Sequence, residues 1–155
     1  MSLVVVGVLS TIGIVAIHHV ALTFMIVRPG FLPDLGPHAI GAVVSVAMLA
    51  HLVEIGCLAC CWHALLRLEV VELAPNAVDF ADTLYFVGVV YTSVGFGDVV
   101  PVGAARHLAT VHAVAGLVLV AWTASYTYLE AVRVSNLVSG SEVGDSAVDR
   151  QGSRA

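Results

Sequence analysis

The chain of 155 residues is 59 % hydrophobic and only 11 % charged, with a mean hydropathy of +1.00; an ordinary soluble domain carries about 25 % charged residues. The formal charge is −5 and all six basic residues are arginine, so the basic patch that nucleic acid requires is missing. The length accommodates one membrane domain with three spanning helices and leaves no room for a second, enzyme-sized domain.

Residues 1–27 contain no Asp, Glu or Arg. A helix from Ser2 to Val27 would extend roughly 39 Å, enough to cross a bilayer with tilt. A cleaved signal peptide is the competing reading, but the run lacks a basic n-region and is too long for an h-region. It is expected to stay as an N-terminal transmembrane helix. Arg28, Pro29 and Gly30, followed by Pro33, Asp34, Gly36 and Pro37, concentrate turn formers and predict a short loop.

Residues 39–66 form the second apolar run, interrupted by His51, Glu54 and His63, with Trp62 near its end as an interfacial anchor. Cys57, Cys60 and Cys61 lie inside it, where thiols behave as small buried hydrophobes. Cys60 and His63 are one helical turn apart and could share a soft metal, but no fourth ligand is signalled. Arg67, Glu69, Glu72 and Pro75 then mark an exit from the membrane. Asn76 is placed to cap a short helix over residues 78–91 whose first turn carries Asp79. That helix cannot span a bilayer, and it runs into a polar, glycine-bearing stretch, so residues 77–98 are expected to form a re-entrant pore helix and loop. Residues 108–132 form the third span, with Trp122, Tyr126 and Tyr128 as belt residues. Residues 136–155, rich in Ser, Gly, Asp and Arg, have the composition of a disordered tail.

Non-helical backbone is tolerated at membrane depth only where it is packed in protein or lines water. A cation leaving water needs its hydration oxygens replaced, and stacked carbonyls can do this without fixed charge. Such a strand alternates its backbone hand, and glycine reaches positive φ at little cost. Gly95 and Gly97 are spaced for that conformation. A bare Gly-x-Gly also recurs in turns and phosphate loops; the position between a short helix and a spanning helix makes it specific here.

The segment Thr92-Ser93-Val94-Gly95-Phe96-Gly97-Asp98 resembles the filter of potassium channels, usually Thr-Thr-Val-Gly-Tyr-Gly-Asp. Ala81-Asp82-Thr83-Leu84-Tyr85-Phe86 is similar to the family's pore helix, and Val99-Val100-Pro101 to its exit loop. The stretch from His51 to Ile55 and the small size look similar to short bacterial three-helix members. The resemblance implies an all-α membrane protein with three transmembrane helices and a re-entrant pore helix and filter loop per subunit. It implies a pore domain over residues 39–132, with outer helix 39–66, pore helix and filter 77–98 and inner helix 108–132. It also implies a homotetramer, because one strand cannot surround an ion. Ser93, Val94, Gly95 and Phe96 would bind K+ through their carbonyls, the Ser93 hydroxyl adding the innermost ligand, with Gly97 and Asp98 at the outer mouth. K+ as the permeant ion is then the only ligand expected; no cofactor is.

Two positions depart from the usual filter. Ser93 keeps the hydroxyl of threonine but loses the methyl that restricts χ1, and Phe96 loses the phenol that braces the filter against the pore helix. Val89 stands where some members carry a carboxyl behind the filter, whereas Tyr85 is placed to hydrogen-bond Asp98. Gly116 lies where the family often has a bending point for the gate; close helix packing is the alternative.

His51 and Glu54, three residues apart, can pair on one helix face, where lone ionisable groups are costly. Beyond bracing, they could act with His112 or His18 as a proton-sensitive latch. No segment repeats Arg every third residue, so no voltage sensor is expected. Placing the N-terminus outside leaves Arg28, Arg133, Arg150 and Arg154 on the cytoplasmic side, against Arg67 and Arg106 outside. It also gathers Glu69, Glu72, Asp79, Asp82 and Asp98 at the outer mouth, where acid concentrates cations. The expectation is a multi-pass protein of the cell membrane, with an external N-terminus and a cytoplasmic C-terminus, that conducts K+. Its alternatives are a non-selective cation channel, a non-conducting accessory subunit, or a metal-binding membrane enzyme built on the cysteines and histidines.

Overall fold

The structure, a computed structural model, describes residues 3–27, 38–75 and 79–152, with side chains described for 3–24, 38–75 and 79–136. The expected loop from Arg28 to Pro37 and the expected cap Asn76 lie outside these residues. The elements in chain order are α1 (Leu3–Val27), α2 (Ala39–Arg67), β1 (Glu72–Ala74), α3 (Phe80–Tyr91), β2 (Val100–Val102) and α4 (Ala105–Gly152). Stretches of α1, α2 and α4 over Leu3–Phe24, Ala39–Arg67 and Ala105–Asn136 are each long and apolar enough to cross a bilayer. α3 is an apolar helix of twelve residues, too short to do so. The fold is that of an all-α, multi-pass membrane protein, and most of its apolar surface faces outward: Val8, Leu9 and Ile12 on α1 and Leu49, Leu52 and Val53 on α2 are exposed.

Two local devices shape the excursion that carries α3. At the end of α2 the chain turns through a Schellman motif: Glu69 adopts φ 56°, the Val70 amide donates to Leu65 O at 2.9 Å and the Glu69 amide to Leu66 O at 3.0 Å. At the start of α3 the cap is Asp79. Its carboxylate accepts from the Asp82 amide at 2.8 Å, and the Asp82 carboxylate accepts from the Asp79 amide at 3.4 Å. This reciprocal box puts two negative charges on the positive end of the helix dipole. The helix therefore starts at Phe80, later than the expected residue 78.

β1 pairs antiparallel with β2, Leu73 opposite Pro101. This clasp ties the segment before the pore helix to the segment after the filter. No strand was expected, because three-residue runs carry too little periodicity to be read. The inner helix begins at Ala105 rather than residue 108, and its backbone continues as helix to Gly152, through the residues expected to be a disordered tail. Elongating a helix that is already nucleated costs far less than starting one.

The core lies where α3 enters the cradle made by the three long helices. Trp62, Leu58, Phe86, Tyr91 and Leu119 are each at most 2 % exposed, and the Trp62 and Phe86 rings meet edge to face at 5.0 Å. Trp62 is thus a core residue rather than an interfacial anchor. Its indole donates to His112 Nδ1 at 3.0 Å, and His112 Nε2 lies 2.8 Å from Ser10 Oγ, so the ring needs no water. Tyr126 is likewise buried, in a smaller cluster with Leu22, Ala39 and Val43, whereas Tyr128 is exposed as a belt residue would be.

Gly116 is a point of close approach between α4 and α3. A Cβ built on it would sit 2.2 Å from the Tyr91 carbonyl oxygen. Gly116→Ala should therefore lower stability by about 1–3 kcal/mol, measured by thermal unfolding in detergent. Gly56→Ala, whose Cβ meets nothing within 4 Å, should not lower the midpoint, since alanine is the better helix former.

Candidate functional site

The segment that follows α3 has no regular structure and an unusual backbone. The helix closes with the Thr92 amide on Gly88 O, the Ser93 amide on Val90 O and the Val94 amide on Val89 O, while Thr92 Oγ1 donates to Gly88 O at 2.7 Å. Ser93, Gly95 and Gly97 then take φ of 58°, 63° and 82°. Every second residue is in the left-handed region, which swings successive peptide planes so that their carbonyls can share one side. Two of the three positions are glycine. The third, Ser93, bears the strain that a side chain incurs there. Among the described residues no hydrogen bond ends on a carbonyl of residues 93–97, which leaves those oxygens available to a cation.

The expected bracing contact is present. Tyr85 Oη donates to Asp98 Oδ2 at 2.8 Å, and Asp98 Oδ1 accepts from the Val99 amide at 3.0 Å. Both carboxylate oxygens are held, and the loop is tied back to the pore helix thirteen residues earlier. The hydrogen bond to Asp98, with some desolvation and the carboxylate's charge, holds the Tyr85 phenol above its ordinary pKa. The Phe96 ring lies parallel to Tyr85, centroids 6.4 Å apart, but is 71 % exposed, and Val94 is 55 % exposed. In a single chain neither side chain has the packing that a filter wall would need.

Behind the filter lies a second set of polar groups. Glu54, fully buried in the middle of α2, accepts from His18 Nδ1 of α1 at 2.9 Å and from the Tyr91 hydroxyl of α3. His51 Nδ1 is 3.3 Å from Glu54 Oε2 and 2.8 Å from Tyr91 Oη. Thr123 Oγ1 of α4 closes the set, 3.0 Å from His51 Nε2 and 3.3 Å from His18 Nε2. The structure thus brings His51 and Glu54 together with His18; His112 stands apart on Ser10 and Trp62. Tyr91 and Thr123 were not singled out from the sequence, since neither residue type is unusual in a membrane helix. Cys57 and Cys60 are exposed and Cys61 is half-buried; they do not join His63, which contacts Thr83 and Phe80 instead.

The family described as ion channel matches residues 46–129, more than half of the chain, from within α2 through the filter into α4. The chain belongs to the pore-loop potassium-channel family. No curated protein and no solved structure matches it. Membership of an ion-channel family points away from an enzyme. Within this channel fold, the matched region runs from the outer helix to the inner helix, and α1 lies wholly before it.

Tyr85→Phe removes the tie to Asp98 without changing the ring. It should leave expression and assembly intact but let the loop relax, seen as faster decay of ion flux during sustained conduction; Asp98→Asn, which keeps an acceptor, should have a smaller effect.

Proposed function

We propose that four copies of this chain form a potassium-selective channel, in which residues 93–97 of each copy line a common axis. K+ is held by the carbonyls of Ser93, Val94, Gly95 and Phe96, with the Ser93 hydroxyl as the innermost ligand and Thr92 and Asp98 bounding the segment. The observation that carries this reading is the alternation of positive φ at Ser93, Gly95 and Gly97. Such a backbone can turn consecutive carbonyls toward one side, and those carbonyls have no partner among the described residues.

Fourfold assembly is supported by what a single chain leaves uncovered. Val94 and Phe96 are exposed, as are Val111, Val114, Leu117 and Val118 on α4. Neighbouring copies around an axis would bury these faces and give the loop the protein surroundings that irregular backbone needs in a bilayer. Conduction follows from the chemistry of the lining: carbonyl dipoles replace hydration oxygens, and several sites in a row keep any one from binding too tightly. The channel opens without a voltage sensor, because no helix bears regularly spaced arginines. The acidic box at Asp79 and Asp82 together with Asp98 would face the external entrance, with the N-terminus outside and the C-terminus in the cytoplasm of a cell carrying it in its plasma or inner membrane. The reading requires no cofactor.

The test is flux into liposomes holding the purified protein, K+ compared with Na+. K+ flux that exceeds Na+ flux and is abolished by Gly95→Ala, which puts a side chain at φ 63°, is the expected result. Equal Na+ flux would mark a non-selective pore, in keeping with the loss of the phenol at Phe96. Folded tetramers that pass neither ion would mark an accessory subunit.

A further inference from the structure

We propose that His18, His51 and Glu54 form a binding site for one divalent transition-metal ion of the borderline class, zinc foremost, that pins α1 to the pore domain behind the filter. Among the described residues they form the group of metal-capable side chains whose donor atoms converge, all within 4.8 Å of one another.

The donor set suits such an ion. Two imidazoles and a carboxylate are ligands of catalytic and accessible zinc sites. For bonds of about 2.0–2.1 Å, a tetrahedral site spaces its donors roughly 3.3–3.4 Å apart. His18 Nδ1 is 2.9 Å from Glu54 Oε1 and His51 Nδ1 is 3.3 Å from Glu54 Oε2, so small outward movements suffice. The Tyr91 oxygen, in contact with both His51 Nδ1 and Glu54, is the nearest fourth donor.

Charge points the same way. Glu54 and His18 are fully buried in spanning helices. The described ion pairs of Glu54 are with histidines alone. With neutral imidazoles the cluster holds an uncompensated negative charge in an apolar interior, where such a charge is expensive. A divalent cation removes that cost.

Hydrogen-bond accounting gives the third argument. Six contacts join His18 to Glu54, His51 to Glu54, His51 to Tyr91, Tyr91 to Glu54, His51 to Thr123 and Thr123 to His18. Each needs a proton, but two neutral histidines, one phenol and one threonine hydroxyl supply only four. An ion on both Nδ1 atoms resolves the shortfall. Both Nε2 atoms then carry hydrogens and donate to the two lone pairs of Thr123 Oγ1, while Tyr91 donates to Glu54. These are the supporting contacts that orient metal-bound imidazole and carboxylate.

The site ties α1 to α2 and touches Tyr91, the last residue of α3, next to Thr92. Ion occupancy would therefore bear on how firmly the pore helix presents its loop, whatever ion that loop passes.

The test uses the full-length protein in detergent, stripped with a chelator and then offered Co2+ or Zn2+. Expected are one ion per chain by elemental analysis, visible Co2+ d–d absorption without a thiolate charge-transfer band, and a raised unfolding temperature. Binding should persist when Cys57, Cys60 and Cys61 are replaced together by serine and should vanish in His18→Ala. Should His18→Ala fail to fold, Thr123→Val keeps the three ligands and should weaken binding about 10–100-fold. A folded wild type that takes up no ion overturns the proposal and leaves an extra proton to complete the cluster. Binding retained by folded His18→Ala, unchanged in Thr123→Val, or lost with the cysteines overturns it too.

Discussion

The carboxyl group of Glu54 is fully buried in a membrane-spanning helix, and much of the polar packing of this protein can be traced to that constraint. A carboxylate in a spanning helix must find donors on its neighbours. It finds them on α1 through His18 and on α3 through Tyr91, while Thr123 of α4 bridges the two histidines from the far side. Four helices are thereby held in one register. Apolar contacts alone would specify this poorly, since lipid tails compete with them on equal terms. Polar contacts in hydrocarbon have few alternatives, and so they choose the arrangement.

Tyr91 transmits that arrangement to the loop. Its hydroxyl is fixed by Glu54 and His51, its ring is buried among core side chains, and its carbonyl rests against the bare backbone of Gly116. The residue that ends the pore helix is thus anchored at three points, and the segment with alternating hand begins at the next turn. On its outer side the same segment is tethered by Asp98 to Tyr85, and the β1–β2 clasp joins the two approaches. Irregular backbone at membrane depth survives because both of its ends are held. Gly116 serves close approach in this conformation, as the tight contact with Tyr91 shows, which accounts for a glycine there without reference to bending.

Val94, Phe96 and Val111, Val114, Leu117 and Val118 of α4 are exposed in one chain, and the proposed assembly would cover them. The substitution of phenylalanine for the usual tyrosine moves the bracing burden inward in sequence: the phenol that reaches a partner belongs to Tyr85, and the Phe96 ring merely lies parallel to it.

What the sequence by itself determined was the set of features governed by composition and short-range periodicity. Three long apolar runs with scarcely any charge read as membrane helices, and the glycines at 95 and 97 are where positive φ is needed. A helix before them too short to span a bilayer read as re-entrant, and the resemblance to the potassium-channel pore helix put Tyr85 within reach of Asp98. What only the tertiary structure decided was the choice among partners that are far apart in the chain. Residue spacing links His51 to Glu54, but it cannot say that His18 rather than His112 joins them, because that depends on how α1 rotates against α2. Nor could it move Trp62 from the membrane surface to the core, since an indole is welcome in both places and only the acceptor on His112 settles which. The two short strands and the helical continuation beyond residue 136 escaped for the same reason: their formation rests on a remote partner or on an existing helix end, and neither leaves a local pattern to read.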